Sequence, residues 1–130
     1  MTLEVMKVAD QINARIKRLE ELCTEIDDIG EEKANAIANY DVSLAVAMAK
    51  LARGRVSQIQ LSDGTTELLP ENIPATVVKD YAKGLCREER FKLENATNKY
   101  KGLLTKIEAL EASLNGKQSI FRHLSHEVRS

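Results

Sequence analysis

Apolar side chains recur from Val5 onward at alternating steps of four and three residues. The series runs Val5, Ala9, Ile12, Ile16, Leu19, Cys23, Ile26, Gly30, Lys33, Ile37, Tyr40, Leu44, Ala47 and Leu51, and only Gly30 and Lys33 interrupt it. A mean step of about 3.5 residues belongs to a helix whose apolar stripe follows a partner helix along its length. The intervening "KRLEE" and "TEIDD" are polar, as a solvated face requires. The pattern predicts a first long helix over residues 1–52, with Gly30 as the place where it can kink.

A second series closes the chain: Leu93, Ala96, Tyr100, Leu103, Ile107, Leu110, Leu114, Lys117, Phe121, Leu124 and Val128. It predicts a second long helix over 85–128. Gly102 and Gly116 lie off this stripe and cost roughly 1 kcal/mol each relative to alanine. At about 1.5 Å per residue, either helix would be about 65 to 75 Å long if unbroken.

Between them lies "QIQLSDGTTELLPENIPATVVKDYAKG", which neither period fits. Asp63-Gly64 reads as the central pair of a two-residue hairpin turn, giving a β-hairpin over 55–69. That register sets Leu61 against Thr66 and Ile59 against Leu68, with these four on one face and Gln60 and Glu67 on the other. Pro70 and Pro74 then forbid a continuous strand or helix. Pro74 suits a first helical turn, so 74–84 reads as a short helix closed by Gly84.

The fold class that follows is mainly α: two long antiparallel helices joined by a small β-hairpin and a short helix. If Ala52 lies opposite Leu85, Lys117 falls beside Glu20 and Glu21, and Cys23 falls near Leu114. Cys86 falls near Leu51, which keeps the thiols apart and predicts no disulfide between them. Two helices alone leave Val8, Leu22, Ile29, Val42, Val46, Leu104 and Ile120 on exposed flanks. A dimer forming a four-helix bundle, or a larger assembly, is therefore expected. The residues expected to carry self-association are Ile12, Ile16, Leu19, Ile26, Ile37, Leu44, Leu103, Ile107, Leu110, Leu114 and Phe121.

Composition narrows the function. The 130 residues are 30% charged and 43% hydrophobic, which excludes a disordered chain and fits one domain with a modest core. Aromatics are only 4%, which favours helix packing over a deep ligand pocket. No apolar run approaches the roughly 20 residues that span a bilayer, and no signal-peptide pattern opens the chain. The expectation is a soluble, cytoplasmic protein without membrane contact. The seven carboxylates from Glu20 to Glu32 lack the ligand spacing of a calcium loop and read as a solvated or docking face. His123 and His126 lack a metal motif, Cys23 and Cys86 read as inert seam thiols, and no phosphate loop exists. No catalytic residue, metal or cofactor is expected.

Cations do gather near the chain reversal. Arg53, Arg55, Lys79, Lys83 and Arg87, with Tyr81 as a stacking aromatic, are the candidates for nucleic-acid contact. Their structural alternative is to offset helix dipoles at "KLARG" and "DYAKG". From Asn39 to Leu124 the order of "YDVSLAVAMAKLARG", "LLPENIPATVVKDYAKG" and "NKYKGLLTKIEALEASLNGKQSIFRHL" resembles small phage- and prophage-encoded helical proteins. The resemblance implies a non-enzymatic accessory protein in recombination, replication or host takeover, acting in the cytoplasm of a bacterial host. It supplies no catalytic residues. The leading expectation is a self-associating protein that binds or inhibits a protein partner. An accessory nucleic-acid factor is the alternative, and a small-ligand binder at a subunit interface is a third.

Overall fold

The structure is a computed structural model that describes residues 2–53, 58–69 and 73–129. Arg55, the first residues of the expected hairpin segment, Pro70 and the side chain of Val128 lie outside the described residues. Helix α1 spans Leu3–Arg53 and passes through Gly30 without interruption. Strands β1 (Gln58–Gln60) and β2 (Thr66–Leu68) form an antiparallel pair. A 3-10 turn at Ala75–Val77 leads into α2 (Val78–Leu85), and α3 covers Arg87–Arg129. The expected mainly α fold is present, with α1 and α3 packed on each other and the small elements between them in sequence. The residues group into two compact units, Met1–Gly30 with Lys99–Ser130, and Glu31–Asn98.

In the first unit, the buried side chains are Val5, Val8 and Leu22 of α1 and Ile107 and Leu114 of α3. Ile12, Leu19, Ile26 and Ile29 complete the inner face of α1, while Ile16 is 37% exposed and Cys23 lies in solvent. The α1 stripe therefore keeps Val5, Ile12, Leu19 and Ile26 but alternates through Val8, Leu22 and Ile29, one residue earlier than expected. Both phases have a period of 3.5. The observed one buries Val8 rather than Ala9 and Leu22 rather than Cys23, which removes more apolar area from water. On α3 the expected stripe holds: its described members from Leu93 to Leu124 are all buried or half-buried.

Helix pairing is offset from the expected register by about two helical turns. Arg15 Nε donates to Ser113 Oγ at 2.7 Å, and a Cβ at Gly30 would stand 3.6 Å from Tyr100 Cε2. Lys117 accordingly does not face Glu20 and Glu21, nor Cys23 Leu114. In the second unit the end of α1 has a different partner. Ala47 and Leu51, near the end of α1, share one buried cluster with Ala82 and Leu85 of α2, Cys86 and Leu61. So α2, rather than the start of α3, fills the partner position at the end of α1. Gly84 is helical and caps nothing. Cys86 ends α2, its N–H reaching the carbonyls of Ala82 (3.1 Å) and Lys83 (3.2 Å), and its own carbonyl accepting from Arg90 N at 3.0 Å. Backbone bonding thus carries across the junction into α3.

The hairpin register also differs by one residue. Ile59 pairs with Glu67 and Gln60 with Thr66, and Leu61 N donates to Thr65 O at 2.8 Å. Gly64 N bonds Leu61 O at 3.0 Å, and Gly64 alone among the described residues carries a positive φ, of 87°. This is a three-residue loop with glycine in the left-handed position, not a two-residue turn with two positive φ values. Because side chains alternate, the shift puts Glu67 beside Ile59 on the inner face and leaves Leu68 78% exposed.

The two phases of α1 make different energetic predictions. Leu22→Ala, at a side chain 3% exposed, is expected to cost about 2–5 kcal/mol in denaturant unfolding. Ile16→Ala, at the half-open position, should cost under about 1.5 kcal/mol by the same measurement. Equal losses at the two positions would return the stripe to its expected phase.

Candidate interaction surfaces

The candidate site built around the chain reversal is a docked hairpin. Its alternation leaves Ile59 and Leu61 facing inward, and Leu61 enters the buried cluster with Leu85 and Cys86. Polar contacts then hold the tip. Arg87, in the first turn of α3, sets Nη2 3.4 Å from Asp63 Oδ2 and Nη1 3.2 Å from Glu67 Oε1. The same Nη2 donates to Thr65 Oγ1 at 3.2 Å. Inside the loop, Asp63 Oδ1 accepts from Thr65 N at 3.0 Å and from Thr65 Oγ1 at 2.6 Å. Ser62 Oγ donates to Glu89, and Tyr81 Oη reaches the Leu68 carbonyl at 3.5 Å. The Thr65 hydroxyl and amide, with a smaller contribution from the Arg87 charge, hold the Asp63 carboxyl below the ordinary aspartate range.

This geometry commits part of the cation set that the sequence nominated. Arg87 is committed to two carboxylates. Its neighbours are similarly occupied: Arg90 lies 3.1 Å from Glu94, and Lys92 lies 3.3 Å from Glu88. Arg53 and Lys79 are exposed, while Lys83 and Tyr81 are half-buried. Lys83, Arg87, Arg90 and the exposed Phe91 line an open hollow of about 640 Å³, and Asp80 and Glu94 share it. Its charge is mixed rather than basic. A smaller groove of about 190 Å³ runs past Val42, Val46, Ile59 and Leu61 toward Glu89.

The first unit holds a groove that sequence reasoning missed. Glu25, Asp28 and Ile29 of α1 and Lys99, Gly102, Leu103 and Lys106 of α3 line about 480 Å³ of open space. Its signal in the sequence was Gly102 between two lysines seven residues apart on α3, but only the helix register shows which part of α1 stands opposite. Of the residues nominated for self-association, Ile107 and Leu114 are buried inside the unit and Ile12, Leu19, Ile26, Leu103, Leu110 and Phe121 are half-buried there. Ile16 is exposed. In the second unit Leu44 is half-buried and Ile37 is 41% exposed.

The remaining groups stay apart. Among the described residues, no cluster of three or more His, Cys, Asp or Glu is placed to hold a metal. His123 pairs with Glu127 at 3.1 Å. Both thiols are free. Cys86 is buried, and desolvation, followed by the nearby Glu89 charge, raises its pKa. No described helix is long and apolar enough to cross a membrane.

Two measurements follow from this geometry. In the native state, a maleimide should label Cys23 fast and Cys86 only after unfolding, giving one fast thiol per chain by intact mass. Two fast thiols would mean that the α2–α3 junction is open. Separately, the Asp63 carboxyl resonance should titrate below a normal aspartate. Its folded pKa is depressed, so its stabilising contribution is present above the unfolded value and is lost as pH falls through the folded one. Thr65→Val should raise that midpoint more than Arg87→Gln does.

No protein-family model, curated protein or solved structure matches this chain.

Proposed function

We propose that this chain is a non-enzymatic, self-associating helical protein that binds or blocks a protein partner. The observation that carries this reading is the set of large apolar side chains left in solvent on paired helices. Ile16, Leu104 and Ile120 are 37–46% exposed in the first unit; Val42, Val46 and Phe91 are 46–68% exposed in the second. Apolar surface of this kind on helices already paired along one stripe is what a further helix or a partner protein covers. The open, shallow grooves support the same reading, because recognition of small molecules favours concave sites that enclose the ligand. Counter-defence or host takeover in a bacterial cytoplasm is the setting in which such a binder would act, in keeping with the resemblance to phage-encoded accessory proteins.

The second reading is an accessory nucleic-acid factor. Its support is Phe91, exposed beside Lys83, Arg87 and Arg90. The ion pairs of Arg87 and Arg90 weigh against it, since phosphate contact would have to displace carboxylates already in place.

Sedimentation equilibrium and fluorescence anisotropy separate the two. The first reading expects a dimer or larger species, with affinity for single- and double-stranded DNA no tighter than the non-specific range of about 10⁻⁴–10⁻⁶ M. A monomer that binds DNA more tightly than this, with affinity falling steeply in salt and lost in Lys83→Glu/Arg90→Glu, would replace it with the second.

A further inference from the structure

Resting on the self-association proposed above, the structure of the first unit assigns the surface and the symmetry of that contact. The groove between α1 and α3 has one wall carrying Glu25 and Asp28 and another carrying Lys99 and Lys106, over a floor of Ile29 and Leu103. A Cβ built at Gly102 meets no atom within 4 Å, so the floor is open to an incoming side chain. Glu25 also lies 3.6 Å from Arg18, a long contact between exposed groups that leaves room for a second cation. We propose that a second copy of this chain covers the groove, its acidic wall seated on the basic wall of the first.

Charge selects between the two ways a two-fold contact can be made. An axis running along the helices, in the plane of contact, sets the α1 of each copy against the α3 of the other at the same level. Carboxylates then face lysines twice, once on each side of the axis. An axis across the helices sets α1 on α1 and α3 on α3, so carboxylates face carboxylates and lysines face lysines. Both arrangements bury the same apolar floor. Like charges set directly across a contact are destabilising, and opposite ones fix its register. The contact is therefore isologous about an axis parallel to the helices, and its product is a four-helix bundle in which each α1 lies between two α3 helices.

The test is a wall-swap series on the full chain, read by sedimentation equilibrium. Glu25→Lys/Asp28→Lys makes both walls basic, and Lys99→Glu/Lys106→Glu makes both acidic. Each should weaken dimerisation about tenfold or more, and the variant carrying all four changes should regain it. The neutral pair Glu25→Gln/Asp28→Asn, which leaves side-chain shape intact, should give an intermediate loss and normal helicity by circular dichroism. A wild-type dimer indifferent to all of these changes would overturn this surface and leave self-association standing elsewhere on the chain. A wild-type protein that stays monomeric to high micromolar concentration would overturn both, and leave the groove to a partner of another kind.

Discussion

Everything in this molecule depends on the burial of one narrow apolar stripe along α1, which needs a helix opposite it at every turn. In the last turns of α1 the partner is α2: Ala47 and Leu51 share a buried cluster with Ala82 and Leu85. Only Cys86 separates α2 from α3, and its backbone groups bond to both sides. Within the first unit, α1 and α3 pair in a register of their own. Arg15 meets Ser113, Gly30 meets Tyr100, and the acidic stretch near Glu25 comes to stand across from Lys106.

The hairpin obeys a different balance. Two short strands cannot stand alone in water, and the burial of Leu61 supplies the larger share of what holds them. The ion pairs of Arg87 with Asp63 and Glu67 join groups that are about a third to a half exposed. Solvent screens pairs of that kind, so they add little to stability. Their value lies in orientation: they place the loop over the first turn of α3 and neutralise Glu67, which the register turns inward beside Ile59. The same commitment removes Arg87 from the pool of cations available to phosphate. With Arg90 and Lys92 likewise paired to Glu94 and Glu88, part of the basic cluster counted along the chain is a set of local pairs in space, which weakens the nucleic-acid reading.

The elements were legible in the sequence because their signals are periodic and long. The expected α3 stripe is the observed one along its described length: most neighbours of its members are charged or polar (Glu94, Lys101, Glu108, Glu111), and the apolar exceptions Leu104 and Ile120 fall on the exposed flank. On α1 the positions three and four residues on are both apolar or small: Val8 and Ala9, Leu22 and Cys23, Ile29 and Gly30. Periodicity cannot choose between such phases, whereas side-chain volume can, and the larger member of the first two pairs is the buried one. The hairpin slipped for a related reason. "SDGT" fits a two-residue turn that needs positive φ at Asp63, but the Asp63 carboxylate bonded to Thr65 supports a three-residue loop in which Gly64 alone takes that conformation. Helix register was the least legible feature, because the 3.5-residue period repeats along both helices and fits several offsets equally well.

A helix that pairs along one stripe still has two flanks, and composition decides what becomes of them. Aromatic residues are scarce here, so the paired helices lack the bulk to wrap those flanks with their own side chains. Long charged side chains cover part of the exposed apolar area, as Lys99 and Lys106 do at the rim of the groove over Leu103. Such rims are adaptable, but they also carry sign, and here the sign differs between the helices: carboxylates on α1 near Glu25, ammonium groups on the facing part of α3. A surface polarised across its own groove is complementary to itself turned about the groove axis. The proposed assembly of like chains rests on this polarity, which the pairing of α1 with α3 in the first unit sets.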